Sequence, residues 1–142
     1  MTELVEVKTS ELLGEGLNWA TFCAIYTGMQ PTIHVIEAGT HEMRGLVKPV
    51  EFPRAVSLTY SGAYGVECNW NPSGNWEEGG PLIEKHSVCL VAPALGAGWW
   101  SAYRWVSGDR DLLDGPTPLI AACRAIVASV LGDTVSVPKE LV

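Results

Sequence analysis

The sequence predicts an α+β fold: a small, mainly antiparallel sheet packed by an N-terminal helix over about 11–26 and a buried C-terminal helix over about 118–131. Three observations carry this expectation. Helical apolar patterns stand near the two ends of the chain. Strand-like runs follow one another between them, which favours mixed α+β over repeated βαβ units. The 142 residues suffice for one domain with a sizeable core, and 47% apolar against 18% charged residues fits a folded chain.

The C-terminal helix is the clearest element. Thr117 is placed to cap it, and its hydroxyl can accept a first-turn N–H. Pro118 suits the first helical position, where a missing N–H costs nothing. Gly132 supplies the left-handed residue that ends it. Only Arg124 and Ser129 interrupt a surface that is apolar nearly all round, so the helix reads as central, with a layer on each side.

The other elements follow in chain order. Leu4, Val5 and Val7 suggest a short first strand. Thr9 or Ser10 can cap a helix from Glu11 to Tyr26, where Leu12, Leu13, Leu17, Ala20 and Ala24 recur at helical spacing. Trp19 on it belongs to the core. Thr32–Glu37 is a β-branched strand with His34 on its solvent face. Gly39–Pro53 reads as a loop with one short strand at Leu46–Val50. Ala55–Tyr60 alternates cleanly, and Gly65–Asn69 returns as its hairpin partner. Asn69–Gly80 is polar and turn-rich. Val88–Ala92 reads as a buried strand, Ala94–Gly98 as a small-residue loop, and Ser107–Gly115 as an acidic loop. Val135 and Val137 suggest a last strand before Pro138.

Between two of these loops lies Trp99–Val106, which alternates. Trp100, Ala102, Arg104 and Val106 share one face, and Trp99, Ser101, Tyr103 and Trp105 the other. One helical layer covers only one of these sets. A homo-oligomer that covers the other with a second copy is therefore expected.

Charge narrows the partners. A net charge of −7 argues against binding a nucleic-acid polymer or a membrane surface, both of which call for clustered lysine and arginine. The four cysteines show no C-x-x-C pair and no histidine at metal-ligand spacing, so no metal site and no cofactor is expected. Buried reduced thiols, no signal peptide and no long apolar run point to the cytoplasm.

Chemistry is sparse. No P-loop, no G-x-G-x-x-G and no nucleophile with a base is present, so no catalytic residue is assigned. A small hydrolase using Glu84 and His86 is the weakest alternative. Five of the six tryptophans fall between Trp70 and Trp105. An aromatic wall for a flat ligand is one reading of Trp70 and Trp76, since indole faces stack on bases and attract cations. Asn69 and Asn75 can read polar edges, and Gly79 and Gly80 let a ligand approach the backbone. Arg104 is the candidate for holding an anion.

Three blocks of the chain resemble a known family. VKTSELLGEGLNWA at Val7–Ala20 is similar to an opening V-x-x-S-E-L-x-G-x-x-L-[DN]-W-A. Trp76–Glu84 fits W-x-x-G-G-P-[LI]-I-E, and Gly115–Leu141 is the longest block. Together they resemble the NinX-like family of small bacteriophage and prophage proteins, a domain of unknown function. The resemblance implies a phage or prophage origin and a host-cytoplasm setting, and it brings no mechanism. It also implies a single domain over 1–142 in which the middle region, about 29–66, is an elaboration. The function expected is non-catalytic binding of a small nucleotide-like ligand by a phage accessory protein, with sequestration of a host defence signal as its purpose. The alternative is a protein–protein module that inhibits or redirects a host protein.

Overall fold

The computed structural model describes residues 3–41, 45, 48–94, 98–104 and 112–142. Its hub is a helix over Pro118–Leu131, here α3, for the reasons its sequence gives. Thr117 Oγ1 accepts the Ile120 N–H at 3.2 Å, Pro118 opens the first turn, and Gly132 ends the helix at a φ of 93°. Residues 121–127 are buried without a break. Arg124 lies among them, only 4% exposed.

Two layers flank α3. On one side lies α1, Gly14–Ile25, whose Leu17, Ala20 and Phe22 join Ala122, Ile126 and Val127 of α3 in one core. On the other lies a sheet of β7 (Val88–Val91), β8 (Trp100–Arg104) and β9 (Leu113–Gly115), in the order β7-β8-β9. Ala102 of β8 is wholly buried. The termini meet as β1 (Leu4–Lys8) and β10 (Thr134–Pro138), antiparallel from Leu4↔Pro138 to Lys8↔Thr134. A further sheet, β2-β5-β6, consists of Thr32–Ile36, Ala55–Ser61 and Glu67–Asn69 and rests against α1. A hairpin of β3 (Gly39–His41) and β4 (Val50–Phe52) extends from it.

The α+β class holds, but the strands among the described residues form four small antiparallel sheets rather than one. α3 fills the space between α1 and the β7-β8-β9 sheet, and α1 in turn stands between α3 and β5. Five other expectations change. The stretch read as a loop with one strand at Leu46–Val50 carries strands at Gly39–His41 and Val50–Phe52. α1 begins at Gly14, after a 3₁₀ turn over Thr9–Glu11. Thr9 does not cap it: the Thr9 hydroxyl donates to the Gly132 carbonyl at 2.6 Å and so closes the far end of α3. Residues 113–115 are strand β9, not loop. The turn-rich stretch ends in a helix, α2, over Trp76–Lys85. Leu46 and Val47 of the expected short strand, much of the Ala94–Gly98 loop, and Trp105, Val106 and most of the acidic loop lie outside the described residues.

Candidate functional site

The site grows from Asn18, a polar side chain of α1 with no exposed surface. Its amide Nδ2 donates to Asn71 Oδ1 at 2.9 Å. Its Oδ1 accepts the Ser73 N–H at 3.0 Å, and its backbone carbonyl accepts the Trp70 indole N–H at 2.8 Å. One buried residue thus shapes the loop from Trp70 to Asn75. Trp70 is only 5% exposed and meets Phe22 and Tyr60 edge-on, with ring centroids 5.3 and 5.6 Å apart. It belongs to the core.

That loop delivers the start of α2. Asn75 Oδ1 accepts the Glu77 N–H at 3.0 Å, an N-cap bond. Asn75 Nδ2 donates to Glu78 Oε2 at 3.2 Å, and Glu78 Oε1 accepts the Asn71 N–H at 3.1 Å. Asn71, Asn75 and Glu78 therefore lock one another. Gly79 is buried where a Cβ would collide with the Pro72 carbonyl and come within 2.7 Å of Leu119, so its role is close packing. Gly80 faces the Trp76 ring, which a Cβ there would meet at 3.8 Å. Trp76 itself is 57% exposed.

Electrostatics sets this corner apart. Burial pushes the Glu15 carboxyl above its ordinary value; a hydrogen bond with Asn18 opposes the shift, and the Glu78 charge adds to it. Glu15 Oε2 is shielded from solvent and has no hydrogen-bond partner among the described residues. A shielded oxygen without a donor, within electrostatic reach of the Glu78 carboxylate, is an unfinished arrangement for a protein surface.

The remaining expected site residues lie elsewhere. Arg104 sits at the far end of α2, roughly 15 Å of helix from Trp76 at about 1.5 Å per residue. Its Nε donates to the His86 carbonyl at 2.9 Å, one terminal nitrogen donates to Ser129 Oγ at 3.2 Å, and the other lies 3.3 Å from His86 Nδ1. Its face, shared with Trp100 and Ala102, is the one packed toward α3, as the alternation requires. Burial, helped by the cations of Arg104 and Lys85, holds the His86 imidazole below its ordinary value. Glu84 is exposed, while His86 faces Arg104.

Asn69 belongs to another polar surface, the outer face of β2-β5-β6. A concavity of about 670 Å³ there is lined by His34, Ser57, Thr59, Glu67 and Asn69 among others. Thr59 Oγ1 donates to Glu67 Oε1 at 2.7 Å, and His34 Nε2 lies 2.8 Å from that hydroxyl and 3.0 Å from the same carboxylate oxygen. His34 is exposed, as expected, but Thr59 and Glu67 were not among the expected site residues. The pairing of β5 with β6 creates the cluster, and no local pattern signals it. Among the described residues no group of three His, Cys, Asp or Glu side chains is placed to hold a metal ion, and no helix is long and apolar enough to cross a membrane.

The three blocks noted in the sequence converge in this architecture. Asn18 of the first fixes the loop that leads to the second, and Gly79 of the second packs on Leu119 of the third. Arg124 of the third donates to the Leu12 carbonyl of the first at 2.9 Å and to the Asp114 carbonyl at 2.6 Å. A family model described as bacteriophage P22 NinX matches residues 8–130. The chain belongs to the phage P22 NinX family. The NinX match runs through the middle region, the second block and most of the first, and covers the third block only as far as Val130, short of β10. A search of curated proteins found none that matches the chain.

Proposed function

We propose that this NinX-family chain works by non-catalytic binding, as a phage accessory protein in the host cytoplasm, and that the N-terminal face of α2 engages a basic surface of a host protein. The observation that carries the reading is Trp76, 57% exposed, with Glu77 and Glu78 in the same turn and Glu15 within electrostatic reach of Glu78. An arginine or lysine over an indole face is attracted by the ring. Carboxylates alongside accept its N–H groups, and a net charge of −7 steers such a partner inward. The nucleotide form of the reading needs a cation beside Trp76 to hold phosphate, and Arg104 is engaged at the other end of α2. That favours the host-protein form.

The test compares pull-downs from host lysate by wild type, Trp76→Ala and Arg104→Ala, each with an intact melting curve. The expected partner is kept by wild type and Arg104→Ala, lost by Trp76→Ala, and weakened by salt. Binding indifferent to Trp76 would overturn the proposal. A thermal shift with nucleotides, cyclic dinucleotides or ADP-ribose derivatives that vanishes in Trp76→Ala would replace the host protein with a small ligand. A homo-oligomer belongs to the same reading. Its support is the outward face of β7-β8-β9, where Val91 is 46% and nearby Trp99 56% exposed. Light scattering over a concentration series tests it.

A further inference from the structure

Among the described residues β10 pairs with β1 alone, and no strand lies on its second edge. The register identifies the backbone groups along that edge. The Thr9 N–H donates to the Asp133 carbonyl and the Lys139 N–H to the Glu3 carbonyl, both at 2.8 Å. In an antiparallel pair, hydrogen-bonded positions alternate with non-bonded ones. Residues 133, 135, 137 and 139 therefore turn their backbone groups to β1, and Thr134, Ser136 and Pro138 turn theirs away. Among the described residues no backbone group takes up the N–H or carbonyl of Thr134 or Ser136. Pro138, which has no N–H, ends the donor row.

Beside this edge runs a groove of about 440 Å³. Trp19 and Cys23 of α1, Met29 of the turn that follows it, and Leu131 at the end of α3 give it an apolar lining. Met29 is 59% and Leu131 39% exposed. Among the described residues no charged side chain lines it, in a chain of net charge −7.

We propose that this groove docks an extended, uncharged peptide segment of a partner protein, which adds to the open edge of β10 as a further strand through Thr134 and Ser136. Donors and acceptors repeated at every second residue match the spacing of an extended chain. Alternate side chains of that chain then fall toward Trp19, Met29 and Leu131. Charge selects a neutral segment: a charged one would lose its hydration here with no counter-ion to replace it. Thr27–Gln30 line the groove as well. A second copy of β10 is the competing occupant, and amide protection without peptide distinguishes it. This surface is separate from the Trp76 face and does not depend on it.

The probe is a pool of acetylated, amidated peptides of about seven residues, a typical strand length, with Val, Ile, Leu or Met alternating with Thr, Ser or Gln. Binding is followed by NMR on the full chain. The expected result is slowed exchange and shifted resonances of the Thr134 and Ser136 amides. Methylating alternate backbone nitrogens of the peptide abolishes the effect. Met29→Glu, on the exposed wall, weakens binding about tenfold or more while the fold stays intact. Trp76→Ala leaves peptide binding unchanged. Peptides that bind elsewhere, or a pool that never perturbs these two amides at millimolar concentration, would overturn the proposal. Thr134 and Ser136 amides that become protected as protein concentration rises, without peptide, would place a second copy on the edge and overturn it as well.

Discussion

α3 and α2 lie against each other and have opposite characters. α3 is apolar nearly all round, and its buried Arg124 donates to the Leu12 and Asp114 carbonyls. α2 is amphipathic and starts with an exposed tryptophan, and near its Glu78 the Glu15 carboxylate of α1 has a shielded oxygen with no hydrogen-bond partner among the described residues. In α3 the polar groups close on the protein itself. At the start of α2, Asn75 and Glu78 are likewise bonded within the protein, but the Trp76 ring stays exposed. The comparison separates residues that make the molecule from residues available to act.

The largest expected effect falls on α3. Ile126, 1% exposed, cannot accept a charge: Ile126→Asp places an unpaired carboxylate in the core at a cost of several kcal/mol. The variant is expected to be unfolded or insoluble, and an unchanged melting curve would make α3 peripheral. Arg124→Met keeps the volume but strands the buried Leu12 carbonyl and the part-buried Asp114 carbonyl. At about 1–3 kcal/mol for each lost partner, urea denaturation should show a loss of roughly 2–4 kcal/mol. Asn75→Ala removes the cap of α2 and an exposed bond to Glu78, and should cost about 1 kcal/mol.

pH sharpens the contrast with smaller effects of opposite sign. The His86 value is lowered in the fold, so its contribution is complete above the ordinary histidine value of about 6.5 and is lost as pH falls below it. Glu15 is raised, so its contribution is present below the ordinary carboxylate range and is lost as pH rises through the elevated value. Glu15→Gln should therefore raise the melting temperature slightly at pH 7, with the gain shrinking in acid. A variant less stable than wild type at pH 7 would show that the Asn18 hydrogen bond outweighs the burial of the carboxylate.

How much of this was legible depends on how local the cause is. α3 could be read because Thr117, Pro118 and Gly132 act on their own helix. α2 could not. Gly79, Gly80 and Pro81 read as turn residues, yet Gly79 is glycine because Pro72 and Leu119 press against it, and those contacts exist only in the folded molecule. Asn75 followed by two glutamates was the missed sign of a cap. The sharing of a face by Trp100, Ala102 and Arg104 followed from strand alternation, whereas the bonds of Arg104 to His86 and Ser129 join separate elements. Pairing of β1 with β10, across nearly the whole chain, has no local signal. At the candidate site, residue type was informative and placement was not: Asn75, Trp76, Gly79 and Gly80 share the start of α2, while Asn69, Trp70 and Arg104 lie apart from it.

Trp70 and Trp76, six residues apart in the sequence, test the central distinction most directly. The measurement is urea denaturation of Trp70→Ala and Trp76→Ala beside wild type, with partner retention assayed on the same samples. Trp70 is 5% exposed with its indole N–H bonded to Asn18, and its loss should cost about 3–5 kcal/mol. Trp76 is 57% exposed, and its loss should change stability by no more than about 0.5 kcal/mol while abolishing partner binding. A Trp76→Ala variant as unstable as Trp70→Ala, or one that is stable and still holds the partner, would contradict the account.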